Sequence, residues 1–458
     1  MTLAASRHIR RFVSRYRLGF VAILLCSSPA VADESHYQNY IVGERALGLG
    51  GAFTAIADDA SGSYYNPAGL AQLSQSSISL AAALYGVSRY GLKMDTGAPI
   101  DASDQQFIAY PATAAWVQNI RDGDRLGVGR VQMALALLTP QSGANHRRLA
   151  YSRLYSDAQG NTYPSQEISV EVSEDDSLWI GISVGWKLHP RLSFGASIYA
   201  IRRSGNYSGY NVSLTQVGGG HYGFLEQGGL KFEHWGLNAQ VGLLLEVTAE
   251  LRLGLRLRSP LLPITGSAEA NFFTVNAEET YVPPNLKGNF IDSQPASGAI
   301  GIAYLKPQFF GVSLDFTVWG PMPGHAMVRL DTSALDPSSP VAELFATKKK
   351  TTIQVNLGGE YYIAGFVPVR AGFFTNLAST AMSGCSSVDP DCDDSNPLED
   401  PIDRFGVTAS VGVELRRFTL NFGALYNFGM RTEKTIGGFT MKTERSFLFF
   451  MLAGSFRF

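Results

Sequence analysis

The sequence predicts an all-β protein, a transmembrane antiparallel β-barrel of about fourteen strands with a small N-terminal plug inside the lumen. Three observations point there. Apolar and polar residues alternate with period two over segments of ten residues or more, short and long connections alternate between those segments, and the last strand ends on an aromatic residue, Phe458.

Composition narrows the field. At roughly 150 residues per domain, a chain of 458 would make about three globular domains, and that division fails here. Charged residues are only 17%, apolar residues 45%, glycines number 48, and mean hydropathy is +0.02. With 20 Tyr, 27 Phe and 5 Trp the chain is too aromatic and too weakly charged for disorder. A net charge of −2 and a pI near 6.4 give no electrostatic basis for nucleic acid as a partner.

The first residues read as an export signal. Arg7, Arg10, Arg11, Arg15 and Arg17 precede the apolar run Leu18 to Leu25, then Ala30-Val31-Ala32, so cleavage is expected after Ala32. Cys26 argues poorly for a lipoprotein, because the bulky Leu25 precedes it where a small side chain is needed. Farther on, no stretch of about 18 residues is continuously apolar, so no transmembrane helix is expected. Cys385 and Cys392 survive processing and are expected to staple a loop as a disulfide, two free thiols being the alternative.

Strands follow from the alternation. Leu237, Ala239, Val241, Leu243 and Leu245 share one face, against Gly236, Asn238, Gln240, Gly242 and Glu246 on the other. Segments beginning at Phe310, Ile353, Phe405 and Phe418 repeat the pattern. Period two is a strand, and lengths near ten residues suit a membrane crossing better than a soluble sheet. A bilayer offers no water to unpaired amides, so a spanning sheet must close on itself. Short connections fall at 119–124, 188–191, 248–250, 306–308, 363–366 and 416–417. Long ones fall at about 91–106, 140–173, 206–230, 259–296, 319–349, 377–403 and 431–440. Together they join fourteen strands, beginning near 76, 107, 125, 174, 191, 231, 251, 295, 308, 350, 366, 403, 418 and 441. Tight turns then face the periplasm, long loops face outward, and both barrel ends lie in the periplasm.

Residues 33–75 do not alternate, which divides the chain into a signal peptide (1–32), a plug (33–75) and a barrel (76–458). A fourteen-stranded lumen is too wide for side chains alone to fill, so it would leak unless something occupied it. Gly48, Gly50 and Gly51 permit close approaches, and Asn66-Pro67 favours a turn. Asp58 and Asp59 are expected to accept hydrogen bonds from lumenal bases, and Arg45 to meet lumenal carboxylates.

The ordered set Arg45-Ala46 with its glycine run, Ala57-Asp58-Asp59-Ala60 and Asn66-Pro67-Ala68 resembles the plug of the FadL/TodX outer-membrane transporters of long-chain fatty acids and other hydrophobic compounds. Arg256-Leu-Arg-Ser-Pro260, followed by Gly266, and Pro368-Val-Arg-Ala-Gly372 resemble later segments of that family. The terminal Phe458, with Phe456, Leu452, Phe450 and Leu448 on its face, resembles the signal by which such barrels are recognised for insertion. The resemblance implies that ligand is taken up at outer loops 206–230 and 259–296, where Leu261, Leu262, Phe272 and Phe273 would form an apolar landing surface or, alternatively, a small core under the loop. It implies that the ligand leaves sideways where Asn66, Pro67 and Ala68 lie against a kinked strand, here the one beginning near Arg125, with Gly127 and Gly129 permitting a bulge. The plainer alternative is that Asn66, Pro67 and Ala68 only pack the plug.

The implied function is an outer-membrane transporter of hydrophobic small molecules in a Gram-negative bacterium, monomeric, with no cofactor. Its partners would be the ligand, outer-membrane lipids and lipopolysaccharide, whose phosphates are available to Lys348–Lys350 at the outer rim, a merely solvated charge run being the alternative. The alternative is a FadL-like barrel serving protein secretion or surface attachment. A third class, an outer-membrane enzyme, lacks support: the chain has no Gly-x-Ser-x-Gly, no dinucleotide or P-loop glycine spacing, and scattered histidines. Asp389, Asp391, Asp393 and Asp400 imitate part of a calcium loop, but Asp394 stands where glycine is required. No metal site is therefore expected.

Overall fold

The computed structural model describes residues 35–38, 40–94, 100–108, 113–156, 162–217, 220–276, 280–333, 335, 341–380, 402–434 and 440–458. The signal-peptide reading of 1–32, the Cys385/Cys392 pair and the acidic run 389–400 lie outside them. No helix among the described residues is long and apolar enough to cross a membrane.

Among the described residues twenty strands are numbered in chain order, and fourteen of them close one antiparallel barrel. The wall is β1 (Ser77–Met94), β3 (Thr113–Arg121), β4 (Val131–Ser156), β5 (Thr162–His189), β6 (Leu192–Val217), β7 (Gly220–Glu246) and β8 (Leu251–Arg258). It continues through β12 (Ser297–Lys306), β13 (Phe310–Trp319), β16 (Thr352–Ile363), β17 (Val367–Asn376), β18 (Arg404–Glu414), β19 (Phe418–Lys434) and β20 (Thr440–Arg457). Closure comes from β1, which pairs with β20 on one edge and β3 on the other. The remaining strands lie on the outward side: β2 (Ile100–Ile108), β9 (Leu262–Asn276), β10 (Thr280–Tyr281), β11 (Leu286–Phe290), β14 (Met322–Asp331) and β15 (Val341–Lys349).

Period two puts the apolar set outside. Ile180, Ile182, Val184 and Trp186 on β5, Val407, Val411 and Val413 on β18, and Phe450, Leu452 and Phe456 on β20 are all exposed on the barrel exterior. A continuous apolar belt is stable in lipid and costly in water, and its strands leave no edge unpaired at that depth. Phe458 N bonds Ser76 O at 3.0 Å, so the terminal residue completes the seam between the first and last strands.

Most strands begin within two residues of their predicted starts, but β3 starts at Thr113 rather than 107, β4 at Val131 rather than 125, β5 at Thr162 rather than 174 and β7 at Gly220 rather than 231. Segments 140–173 and 206–230, expected to be loops, are the upper halves of long hairpins: β4 pairs β5 from Val131↔Trp186 up to Ser156↔Thr162, and β6 pairs β7 up to Val217↔Gly220. Above the bilayer both faces of these strands carry polar residues, so the ladder continues where the lipid-facing signal stops.

Residues 35–38 and 40–76 fold inside the barrel. They contain α1 (Glu44–Gly48), α2 (Gly62–Tyr65) and a 3-10 turn (Pro67–Gln72). The last begins where it does because Asn66 is extended, its side-chain oxygen accepts from Ala68 N at 3.2 Å, and Pro67 supplies the first helical φ without an orphan N–H. Phe53, Ile56, Tyr64 and Leu49 of this segment are almost wholly buried against lumen residues Trp179, Tyr199, Ile201 and Leu138. A second apolar core, formed by Tyr207, Leu230, Phe232, Phe272, Phe290 and Val328 with their neighbours, holds β9, β11 and β14 onto the inner face of the tall β6–β7 wall.

Candidate functional site

The turn at Asn66-Pro67-Ala68 rests on wall positions that have no side chain. Gly185, Gly195 and Gly242 stand side by side on β5, β6 and β7, because the ladders pair Gly185 with Gly195 and Gly195 with Gly242. A Cβ at Gly185 would lie 2.7 Å from Ala71 N, and one at Gly195 would lie 2.5 Å from Pro67 O. Two further glycine pairs continue this docking track: Gly254 with Gly301 under Thr54 and Ala55, and Gly358 with Gly372 under Leu49 and Gly50. The plug backbone comes that close because nothing projects there. Asn66 Nδ2 donates to Thr54 O at 2.8 Å and to Leu243 O at 3.0 Å, tying the turn to its own segment and to β7. Tyr199 Oη donates to Ser63 O at 2.5 Å, and Gln240 also donates to that carbonyl.

On the opposite side the plug is held by charge. Arg45 Nε donates to Glu360 Oε2 at 3.0 Å, its Nη2 pairs with Glu360 Oε1, and its Nη1 reaches Asp58 at 2.6 Å. Glu360 also takes Arg370 Nε at 3.0 Å, and Arg370 continues to Glu414 and to Asn421 Oδ1 at 2.8 Å. Glu360 and Arg370 are nearly inaccessible, so each charge needs its partners. Arg252 approaches Asp58 at 3.9 Å. Asp59 takes a different role: its Oδ1 accepts from Ser61 N at 2.7 Å and Ser61 Oγ at 2.6 Å. Burial, with Glu44 nearby, pushes the Asp59 carboxyl up to about 7. Below the plug these groups line a cavity of about 360 Å³ that includes Glu44, Arg45, Asp58, Asp59, Arg252 and Glu414.

Above the plug the lumen is filled by residues 35–38 and 40–42 and by aromatic side chains. Tyr37 stacks on Trp319 with centroids 5.1 Å apart, His36 Nε2 lies 3.0 Å from Ile402 O, and Tyr40 donates from N to Pro140 O at 3.2 Å and from Oη to Ser142 O at 2.7 Å. Lys349 turns inward over the Tyr37 ring at 5.3 Å and donates to Ser293 O, so the expected basic run at the outer rim is broken at its middle residue. Tyr64, Trp179 and Tyr199 form an edge-packed set, with the Arg258 guanidinium 4.6 Å from Tyr64 and 5.0 Å from Trp179. Farther out, Arg203 joins Asp175 of β5 to Asp292, just after β11, under the stacked rings of Phe232 and Phe290.

Several expectations are corrected by these positions. Gly127 and Gly129 do not kink a strand beneath the Asn-Pro-Ala turn. They lie in the tight turn before Val131, with φ of 80° and 83°, where Asp124 Oδ1 accepts from Leu126 N and Val128 N, both at 2.9 Å. Asn66, Pro67 and Ala68 face β5, β6 and β7 rather than the strand after Arg125. Leu261, Leu262, Phe272 and Phe273 do not share one apolar surface. Leu261 is buried in the plug-side core, Phe272 is buried in the outer core, Phe273 is half-buried, and Leu262 is 59% exposed.

β4 carries an irregularity in its pairing with β5 between Leu138 and Gln141, at Pro140, which has no N–H to give a ladder. β1 keeps one register with β3 and then with β2, from Ala81↔Thr113 to Gly86↔Ile108. The glycine track was invisible in the sequence, because it depends on which strand positions stand opposite each other.

No protein-family model matches the chain, and no curated protein matches its sequence. Solved structures do. The toluene transporter TodX of Pseudomonas putida superposes with a TM-score of 0.61 at 13% identity, over 93% of this chain and 99% of that one. A FadL homologue of Pseudomonas aeruginosa gives 0.59 at 12% identity, over 92% and 99%. The CymD monoaromatic hydrocarbon channel gives 0.56 at 16% identity, over 91% and 98%. With near-complete coverage on both sides, the chain has the fold of the FadL/TodX barrels.

Proposed function

We propose that this protein is an outer-membrane transporter of hydrophobic small molecules in a Gram-negative bacterium, admitting ligand from the outer side and releasing it sideways through the barrel wall when the plug rearranges. In this reading residues 1–32 are the export signal, 33–75 the plug and 76–458 the barrel, which works as a monomer among outer-membrane lipids and lipopolysaccharide, without a cofactor and without enzymatic chemistry. The observation that carries it is a lumen blocked by the plug inside a wall whose exterior is apolar. A passage for ions and polar solutes would need an open aqueous lumen. Here the axis is blocked by α1, α2 and the 3-10 turn, so a passenger has to displace the plug or leave through the wall. We assign the exit to the β4 irregularity at Pro140, whose carbonyl accepts from Tyr40 N inside the barrel. The solved barrels of like fold include transporters named for toluene and channels named for monoaromatic hydrocarbons, which fits an apolar passenger.

The test pairs uptake with ligand recovery. Cells carrying the protein are expected to take up labelled toluene or a labelled long-chain fatty acid faster than cells lacking it, and an Asn66→Ala, Pro67→Ala variant that inserts normally is expected to lose that advantage. Solvent extraction of the detergent-purified barrel followed by mass spectrometry is expected to recover an apolar compound. Equal uptake with and without the protein for both compounds, together with an empty barrel, would overturn the reading.

A further inference from the structure

The cavity below the plug carries charges that the protein leaves unpaired. It lies at the periplasmic mouth, between the plug and the adjoining ends of β1, β8, β18, β19 and β20. Four carboxylates line it, Glu44, Asp58, Asp59 and Glu414, against three guanidiniums, Arg45, Arg252 and Arg457. Asp58 is met by Arg45 at 2.6 Å and Arg252 at 3.9 Å, and Glu414 by Arg370 from behind. Among the described residues Glu44 and Asp59 make no ion pair. Glu44 is only 7% exposed; its Oε1 accepts from Thr419 Oγ1 at 2.9 Å and Ser455 Oγ at 3.4 Å, while its Oε2 is buried with no hydrogen-bond partner. Asp59 spends Oδ1 on Ser61, and its Oδ2 is likewise buried without a partner.

The surrounding charges do not compensate this pair. Those beside Asp59 are Glu44 and Asp58, both of its own sign. Beside Glu44 stand Thr419, Asn421, Glu414 and one cation, Arg370, which Glu360 and Glu414 already share. Arg252, whose Nε and Nη1 also lack hydrogen-bond partners, is turned to Asp58. Water can answer the hydrogen bonding of two such carboxylates but not their charge. No three metal-type ligands stand together among the described residues, so a bare metal ion fits poorly. A primary ammonium fits better, because it brings one positive charge and three N–H donors that reach separate acceptors. The cavity, about 360 Å³, has room for a short alkyl stem. We infer that Glu44 and Asp59 bind a small primary ammonium ion at the periplasmic mouth, its N–H groups donating to Glu44 Oε2 and Asp59 Oδ2. The site does not depend on the transport reading above, which uptake tests separately.

Butylammonium chloride is the probe. The detergent-purified barrel is titrated with it at pH 8, ionic strength being held constant with sodium chloride, while thermal unfolding is followed. Wild type is expected to show a saturable rise in its unfolding midpoint, because an ion bound only to the folded state stabilises it by mass action. Tetramethylammonium, with the same charge and no N–H donor, is expected to give no rise. Glu44→Gln and Asp59→Asn are each expected to lose the response, and Asp122→Asn, in an exposed turn of the same mouth, to keep it. Asp59→Asn retains the acceptor for Ser61, so it reports even where Glu44→Gln fails to fold. On unaltered protein, the fluorine resonance of 3-fluoropropylammonium is expected to broaden and to sharpen again when butylammonium is added. A flat titration in wild type, an equal rise with tetramethylammonium, or an unchanged response in Asp59→Asn would overturn the inference. The first of these results would mean that water and protons alone satisfy the pair.

Discussion

Gly195→Ala probes how the plug is seated. The added methyl would stand 2.5 Å from Pro67 O, closer still to the Pro67 carbonyl carbon and Ala68 N, and ordinary carbon contacts begin near 3.4 Å, so one partner must retreat by about 1 Å. The wall cannot give, because Gly195 is laddered to Gly185 on one side and Gly242 on the other inside a closed barrel. The plug must give instead, at an overpacking cost of about 1–3 kcal/mol. That predicts roughly 5- to 150-fold faster amide exchange in peptides covering residues 60–72, with the barrel strands unchanged, because local opening follows the local free energy. Leakage of a small polar solute into liposomes carrying the variant is expected to rise with it. Gly223→Ala is the control, since a Cβ there meets nothing within 4 Å. Exchange in 60–72 equal for Gly195→Ala, Gly223→Ala and wild type would refute the glycine-track account.

Other expectations follow from the same geometry. Arg45→Ala removes one of the two arginines on the buried Glu360 and is expected to loosen the plug by about 3 kcal/mol, read as faster exchange in peptides around α1; adding Glu360→Gln is expected to restore part of the loss. Asp59 titrates near 7 in the folded state against roughly 4 unfolded, so the folded state holds the extra proton between those values and stability falls as pH rises from about 4 to 7. Asp59→Asn keeps the acceptor for Ser61 N and Oγ and is expected to raise the unfolding midpoint at pH 8, by at most about 4 kcal/mol, while leaving it unchanged at pH 4. Deleting Phe458 removes the bond to Ser76 O at the closing seam and is expected to lower the yield of heat-modifiable, folded barrel in outer-membrane fractions.

The barrel was legible because its determinant is local. Alternation from Trp235 to Val247 or from Phe405 to Leu415 sets strand and face without knowledge of any neighbour, and the starts of β8, β12, β13 and β16–β20 follow within two residues. Where polar residues occupy both faces, as along Gln141–Arg148, the same period carries no lipid signal, and the β4–β5 hairpin is not legible as strand even though Ile168, Val170 and Val172 of its second half alternate. The site was legible only as residue types. Arg45, Asp58 and Asn66 could be named, but their partners Glu360, Arg252 and Leu243 O lie 315, 194 and 177 positions away, and only register brings them together. Gly127 and Gly129 misled because a glycine that permits a wall bulge and one that serves a tight turn look alike in sequence. Their positive φ and the Asp124 bonds separate the two.

The two ends of the plug are held by different physics, and that difference bears on how it can move. Near β16–β18 the contacts are charged and buried: moving Arg45 off Glu360 leaves that carboxylate with Arg370 alone and takes Arg45 from both of its carboxylates, so even a partial displacement there is costly. On the glycine track the contacts are a close backbone fit and neutral hydrogen bonds to carbonyls at Thr54, Ser63 and Leu243, each of which water can replace at a net cost near 1 kcal/mol. A ligand that contributes only a few kcal/mol of differential affinity can therefore shift the turn at Asn66–Ala68 but not the Arg45 anchor. Motion would begin at β5–β7, pass to the aromatic set of Tyr64, Trp179 and Tyr199, and reach the β4 irregularity at Pro140 through Leu138, which pairs with Trp179 across β4 and β5. That chain of contacts connects the track to Pro140 without requiring the plug to leave the lumen.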